Sequence, residues 1–145
     1  MIGQLLALAI GILLGVVGTA AIYRSNQAIN VRRAIASVLR YLDPKAHKPL
    51  GELTKKLQLN LELINEADDL VARSEWAKTQ QRRFVAAAIE VIKMRNRGMT
   101  KADKAPFIER LDRLHDSGDM LLGYLQFPSL LWLKASVNRM VNRWR

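Results

Sequence analysis

Hydrophobic and polar positions divide this chain into two unequal parts. Residues 1–23, MIGQLLALAIGILLGVVGTAAIY, carry no charged side chain and no proline, and eleven of them are Ile, Leu or Val. At about 1.5 Å per residue, a helix over residues 2–22 is roughly 30 Å long, close to the hydrocarbon thickness of a bilayer. Each central Ile, Leu or Val favours insertion by roughly 0.3 to 0.6 kcal/mol, so the pattern predicts a membrane-spanning helix. A cleaved signal peptide is the rival reading, with Thr19-Ala20-Ala21 as its cleavage site. Against it, no Lys or Arg precedes the apolar run, and the run exceeds the usual core of about 7–15 residues. A buried core helix is the third reading.

Beyond residue 23 the apolar positions recur at helical spacing. Nothing breaks a helix before Asp43-Pro44, so the anchor is expected to continue as a juxtamembrane extension over residues 24–43, with Ile29, Ile35/Ala36, Val38/Leu39 and Leu42 as its apolar side. The prolines at 44 and 49 end it and form a hinge, because proline removes an N–H and disfavours helical geometry before it. Leu50, Leu53, Leu57, Leu61, Ile64 and Val71 then follow steps of three and four, one stripe along a second helix. The stripe blurs over RSEWAKTQQRR and resumes at Phe84, Val85, Ala88, Ile89 and Ile92, with Gly98 as C-terminal cap. The interval reads as one long bent helix or two helices in series; because it is too long for one ordinary helix, a break near residues 78–81 or packing as a coiled hairpin is expected. Thr100 or Asp103 caps a further short helix with Phe107, Ile108, Leu111 and Leu114 on one face, ended by Ser117-Gly118. The apolar run over residues 120–133 holds Gly123 and Pro128, is too short to span a bilayer, and reads as buried or re-entrant. Residues 129–145 read as a basic amphipathic helix with Trp132 and Trp144 near its ends.

No stretch alternates apolar and polar residues as a strand does, so the fold class is all-α: a single N-terminal transmembrane helix followed by a small helical bundle or hairpin. The domain plan is an anchor over 1–23, the extension over 24–43, and a basic helical domain over 44–145.

Charge sharpens this plan. All 23 Lys and Arg and all 13 acidic residues lie beyond the anchor, giving that part a formal charge of +10. Arg24, Arg32, Arg33 and Arg40 follow the apolar run and no basic side chain precedes it, which predicts the N-terminus outside and the C-terminal domain on the cytoplasmic side of a plasma or inner membrane. By segment the net charge is +6 over 24–56, −4 over 57–72, +5 over 73–97, −1 over 98–119 and +4 over 120–145. Basic blocks beside the anchor and at the C-terminus suit anionic lipid head groups. Arg24, Arg32, Arg33, Trp132, Lys134, Arg139, Arg143, Trp144 and Arg145 are the expected membrane-surface or partner contacts. The acidic patch Glu62, Glu66, Asp68 and Asp69 is a candidate partner for the basic 73–97 block. There is no cysteine, which excludes disulfides and thiolate metal sites.

Within the anchor, Gly3, Ala7, Gly11, Gly15 and Thr19 recur every four residues, and Gly11-x-x-x-Gly15 is a small-x-x-x-small pattern. Such residues let two helix backbones approach in lipid, where dispersion replaces the hydrophobic effect. The partner is a different subunit or a copy of the same chain.

Little else points to chemistry. Glu109, Asp112, His115 and Asp116 have ligand-like spacing, but no second such motif accompanies them, and the only other histidine is His47. No nucleophile elbow or Gly-rich phosphate loop occurs, so neither catalysis nor a cofactor is expected. Arg73, Lys78, Arg82 and Arg83 around Trp76 offer phosphate and base contacts without a recognised nucleic-acid motif. The sequence therefore predicts a non-enzymatic structural, anchoring or assembly subunit of a membrane-associated complex. The alternatives are a self-oligomerising membrane-perturbing protein of the phage lysis or genome-ejection type, and a membrane tether for nucleic acid.

Overall fold

One helix joins the two parts of the chain. In the computed structural model, which describes residues 2–43 and 50–126, α1 spans Ile2–Leu42 without interruption. Its 41 residues make a rod about 60 Å long. The first half projects alone. The second half forms one wall of a bundle with α2 (Leu50–Asn65), α4 (Glu75–Arg97) and α5 (Lys104–Leu125), while α3 (Asp68–Val71) is a single turn between α2 and α4. Among the described residues there is no strand, and the all-α class is observed.

Side-chain contacts set the helix directions. Arg95, near the end of α4, donates from Nη1 to the Tyr41 carbonyl near the end of α1 at 3.2 Å, so these two helices run the same way. Val31 and Ile35 of α1, Ile64 of α2, Gln81 of α4, and Leu121 and Leu125 of α5 meet around one small void. The start of α4 therefore lies at the same level as the ends of α2 and α5. With α1 packed on α2, α2 on α4, α4 on α5 and α5 back on α1, the body is an up-down-up-down four-helix bundle. Its end nearest the free part of α1 carries the turns around α3 and the C-terminal end of α5.

The core follows the helical stripes, with two shifts from the expected register. Leu57, Leu61, Ile64 and Val71 are buried as the spacing predicts. On α1 the buried line is Ala28, Val31, Ile35, Val38 and Leu42, while Ile29 remains 39 % exposed. On α4 it is Ala77, Phe84, Ala88, Val91 and Met94, so Ile89 faces outward. Phe84 and Leu114 are fully buried, each worth roughly 1.5 to 3 kcal/mol in apolar transfer.

Two expected boundaries are corrected. The break anticipated near residues 78–81 falls earlier, over residues 66–74 with α3 inside it, and ends at Ser74, an N-cap: its backbone is extended and its Oγ accepts from the Ala77 N–H at 3.2 Å. This satisfies one of the free donors of the new helix. The helix expected to stop at Ser117-Gly118 runs on to Leu125. Gly118 is not a terminator but the point where α5 comes closest to its neighbours. A Cβ there would sit 2.9 Å from Phe84 Cε2 and 3.2 Å from Leu39 Cδ1.

The other caps fall where the pattern placed them. Gly98 ends α4 at φ 81°, and its N–H donates to the Arg95 carbonyl. Thr100 donates from its backbone N (3.1 Å) and its Oγ1 (2.7 Å) to Asp103 Oδ2 at the entry to a short 3-10 turn that leads into α5. At the α2–α4 contact, buried Gln81 donates from Nε2 to the Ile64 carbonyl at 2.7 Å and to the Asn65 carbonyl at 3.3 Å. One amide thus closes the end of α2, whose last carbonyls have no partner within their own helix.

Candidate membrane and assembly interface

None of residues 3–27 is buried. The most apolar 18-residue window of α1 has a mean hydropathy of 2.6, and none of that window is covered by the rest of the protein. Leu5, Leu8, Leu13 and Leu14 are each at least 64 % exposed. A soluble core helix of this composition would be buried against its own protein; here one long apolar helix stands uncovered, and it is long and apolar enough to cross a membrane.

Gly3, Ala7, Gly11, Gly15 and Thr19 all lie on this exposed stretch. A Cβ placed on Gly3, Gly11, Gly15 or Gly18 meets nothing within 4 Å, so no packing inside the bundle accounts for these glycines. Thr19 donates from Oγ1 to the Gly15 carbonyl at 2.8 Å, which satisfies the hydroxyl within its own helix. Beside it, Ile12, Gly15, Val16, Ala20 and Tyr23 outline a shallow apolar groove.

The arginines that follow differ in setting. Arg24 and Arg32 are half-buried, and Arg33 and Arg40 are exposed. Arg32 Nε is buried without a hydrogen-bond partner among the described residues. Trp132, Lys134, Arg139, Arg143, Trp144 and Arg145, with the whole amphipathic segment 129–145, lie outside the described residues, as do His47 and the 44–49 hinge.

The remaining polar clusters are dispersed. Glu62, Glu66, Asp68 and Asp69 are exposed at the end of the bundle nearest the free part of α1. None takes part in the four ion pairs found among the described residues, Lys78–Glu75, Arg97–Asp103, Arg110–Glu90 and Arg113–Glu109. In the Arg73–Arg83 cluster, Lys78 is held by Glu75 at 2.8 Å. Trp76 is 49 % exposed, with its ring 6.2 Å from that of Tyr124 at 51°. Hydrogen bonding and the charge of Lys78 hold the Glu75 carboxyl below the usual carboxylate range. Hydrogen bonds from Thr100, aided by Arg97, do the same for Asp103. Burial pushes the Tyr124 phenol up, opposed by its hydrogen bond with Ser74. Among the described residues no three His, Asp or Glu side chains come together as a metal site; Glu109, Asp112, His115 and Asp116 do not form one.

Two buried polar residues escaped the sequence reading, Gln80 and Gln81. The signal was present: they stand three and four residues before Phe84, on its face of α4. No protein-family model, curated protein or solved structure matches the chain.

Proposed function

We propose that this protein is a non-enzymatic, single-pass membrane subunit that anchors a four-helix bundle to the bilayer and packs, through the small-residue face of its anchor, against other membrane helices. The observation that carries this reading is the uncovered first half of α1, which leaves a full span of Ile, Leu and Val without a partner in its own fold. In water that surface would aggregate; in lipid it costs nothing. Arg24, Arg32, Arg33 and Arg40 favour a cytoplasmic bundle, Arg24, Arg32 and Arg33 face anionic head groups or a partner subunit, and the basic segment 129–145 adds to that surface. The scaffold or assembly role rests on the glycine face, since the bundle gives those glycines no function of their own.

The test is membrane fractionation of the tagged chain, gentle detergent extraction, and intact-mass measurement of the extracted protein with whatever accompanies it. Full-length protein in the membrane fraction with stoichiometric other subunits is the expected result. A mature mass lacking about the first 21 residues would establish a cleaved signal and refute the anchor. A pure homo-oligomer would turn the reading to a self-assembling scaffold or pore, which the same uncovered glycine face serves.

A further inference from the structure

The seam between α4 and α5 opens on its outer side into a groove of about 470 Å3. Small side chains make it deep: Ala86 and Ala87 from α4 and Ser117 from α5 leave room that larger residues would fill. The Glu90–Arg110 pair spans it at one point, with Gln80 and Met120 toward the other end. Three contacts set the register of the two helices: Trp76 with Tyr124, Phe84 with Gly118, and Glu90 with Arg110. That register puts Arg83 and Asp116 at the same level on opposite walls, yet they form no ion pair.

Most polar groups in the groove are already engaged. Arg110 is bound to Glu90, Arg113 to Glu109, and Ser117 Oγ donates to the Arg113 carbonyl at 2.7 Å. Three are not. Gln80 is 6 % exposed as a whole residue, and its amide, which reaches the groove, makes no hydrogen bond among the described residues. Arg83 and Asp116 likewise have no partner there. The Gln80 amide opens onto the groove, and the Arg83 and Asp116 side chains are exposed there, so all three are free to bond a ligand that enters it.

We propose that the groove binds a small zwitterion carrying a free carboxylate and a free ammonium on one aliphatic frame, an amino acid or a dipeptide. The guanidinium of Arg83 presents a planar donor fork to the carboxylate. Asp116, across the groove, accepts from the ammonium. The amide of Gln80, both donor and acceptor, bonds the polar atoms between them. Ala86, Ala87 and Met120 supply apolar contact for the side chain. The same arrangement discriminates against single charges: a simple anion meets Asp116 and Glu90, and a simple cation meets Arg83 and Arg113. The volume lies within the range of about 300 to 1,000 Å3 usual for small-molecule sites. The groove belongs wholly to the bundle, so the inference does not depend on the membrane reading.

Calorimetric titration of the full chain in detergent tests it, with L-leucine and L-leucyl-L-leucine as ligands and N-acetyl-L-leucine and L-leucinamide as blocked forms. One of the first two binds saturably, which identifies the frame, and each blocked form binds about tenfold more weakly or worse. Arg83→Gln abolishes discrimination against the amide, Asp116→Asn abolishes discrimination against the acetylated form, and Gln80→Leu weakens all of them. Thermal unfolding of each variant confirms that the bundle is intact. Absence of saturable binding by either frame, equal binding of blocked and free forms, or unchanged selectivity in the Arg83 and Asp116 variants of an intact bundle would overturn the proposal.

Discussion

Gly118 and Gly123 lie on the same helix, and the structure predicts opposite responses to the same substitution. A Cβ at Gly118 would lie 2.9 Å from the Phe84 ring and 3.2 and 3.3 Å from the two Leu39 methyls. Phe84 is 0 % exposed and its ring has nowhere to retreat, whereas Leu39 sits at the edge of the core. Replacing a helical glycine with alanine gains up to about 1 kcal/mol of helix propensity. Forcing a methyl into a filled core costs about 1 to 3 kcal/mol. Gly118→Ala is therefore expected to be destabilising by about 0 to 2 kcal/mol. At Gly123 the methyl enters open space. Only the propensity gain remains there, reduced to about 0.5 kcal/mol by the nearby helix end.

The assay is thermal unfolding of the full chain in mild detergent, followed by circular dichroism. For a chain of this size, 1 kcal/mol corresponds to about 3 to 5 °C in Tm. Gly123→Ala should raise Tm by a degree or two, and Gly118→Ala should leave it unchanged or lower it by several degrees. Gly118→Leu, with a whole side chain to place, should lower it much further. If Gly118→Ala raises Tm as much as Gly123→Ala does, the close approach of α5 to α4 and α1 is wrong.

Three further outcomes follow from the same contacts. Gln81→Met keeps the volume but removes the donor shared by the Ile64 and Asn65 carbonyls, leaving Ile64 only the 3.4 Å bond from the Ala67 N–H, which should cost about 0.5 to 1.5 kcal/mol in chemical unfolding; an unchanged midpoint would mean that water or another group replaces the amide. Asp103 and Glu75 have carboxyls held below their ordinary values. The stability they add is present above the unfolded pKa of about 4 and is lost as pH falls through the lowered folded values. Tm should thus be flat from about pH 7 to 5 and fall below about pH 4, less steeply in Thr100→Val; an identical acid profile in that variant would remove Thr100 as the cause. Gly11→Leu with Gly15→Leu should leave the unfolding of the bundle unchanged, because those positions touch nothing in it, while abolishing co-extraction of partner subunits.

Periodicity revealed the helices but not all of their register. Leu57, Leu61, Ile64 and Val71 were legible because they are the strongest apolar residues at their spacing and polar residues flank them. On α1, Ile29 competes with Ala28 as a core residue. The choice of Ala28 comes from packing against α2 and α5, which favours the line Ala28, Val31, Ile35, Val38 over an isolated larger side chain. Ser74 was hidden inside a run of charges, although Ser74-Glu75 is an ordinary helix start. Gly98 and Gly118 show the limit of reading glycine. The first has the positive φ that a terminator needs, while the second is helical and serves a close approach, and only tertiary contact separates the two uses. The groove between α4 and α5 was not legible at all, since Gln80, Arg83 and Asp116 meet only through the register of two helices.

The two halves of α1 carry their interactions on different sides, which bears on what the anchor pairs with. At about 100° per residue, Gly11, Gly15, Gly18, Ile22, Ile29, Arg33, Ala36 and Arg40 share one side of the helix. Ala28, Val31, Ile35, Val38 and Leu42, which face the bundle, lie roughly opposite. A helix packed on the glycine face and followed out of the membrane meets Ile29, Arg33, Ala36 and Arg40, all exposed. For a parallel second copy this sets Arg33 against Arg33 and Arg40 against Arg40, and each such pair is unfavourable by about 0.2 to 0.5 kcal/mol or more. A different subunit with acidic residues at that level has no such penalty. A charge-reversed copy, Arg33→Glu with Arg40→Glu, stands in for such a partner. Mixed with the wild-type chain in detergent, it should form mixed dimers more readily than either chain dimerises alone, and Gly15→Leu in either chain should abolish them. Wild-type dimers as stable as the mixed ones would show that the arginines do not face the partner, and would return the anchor to self-assembly.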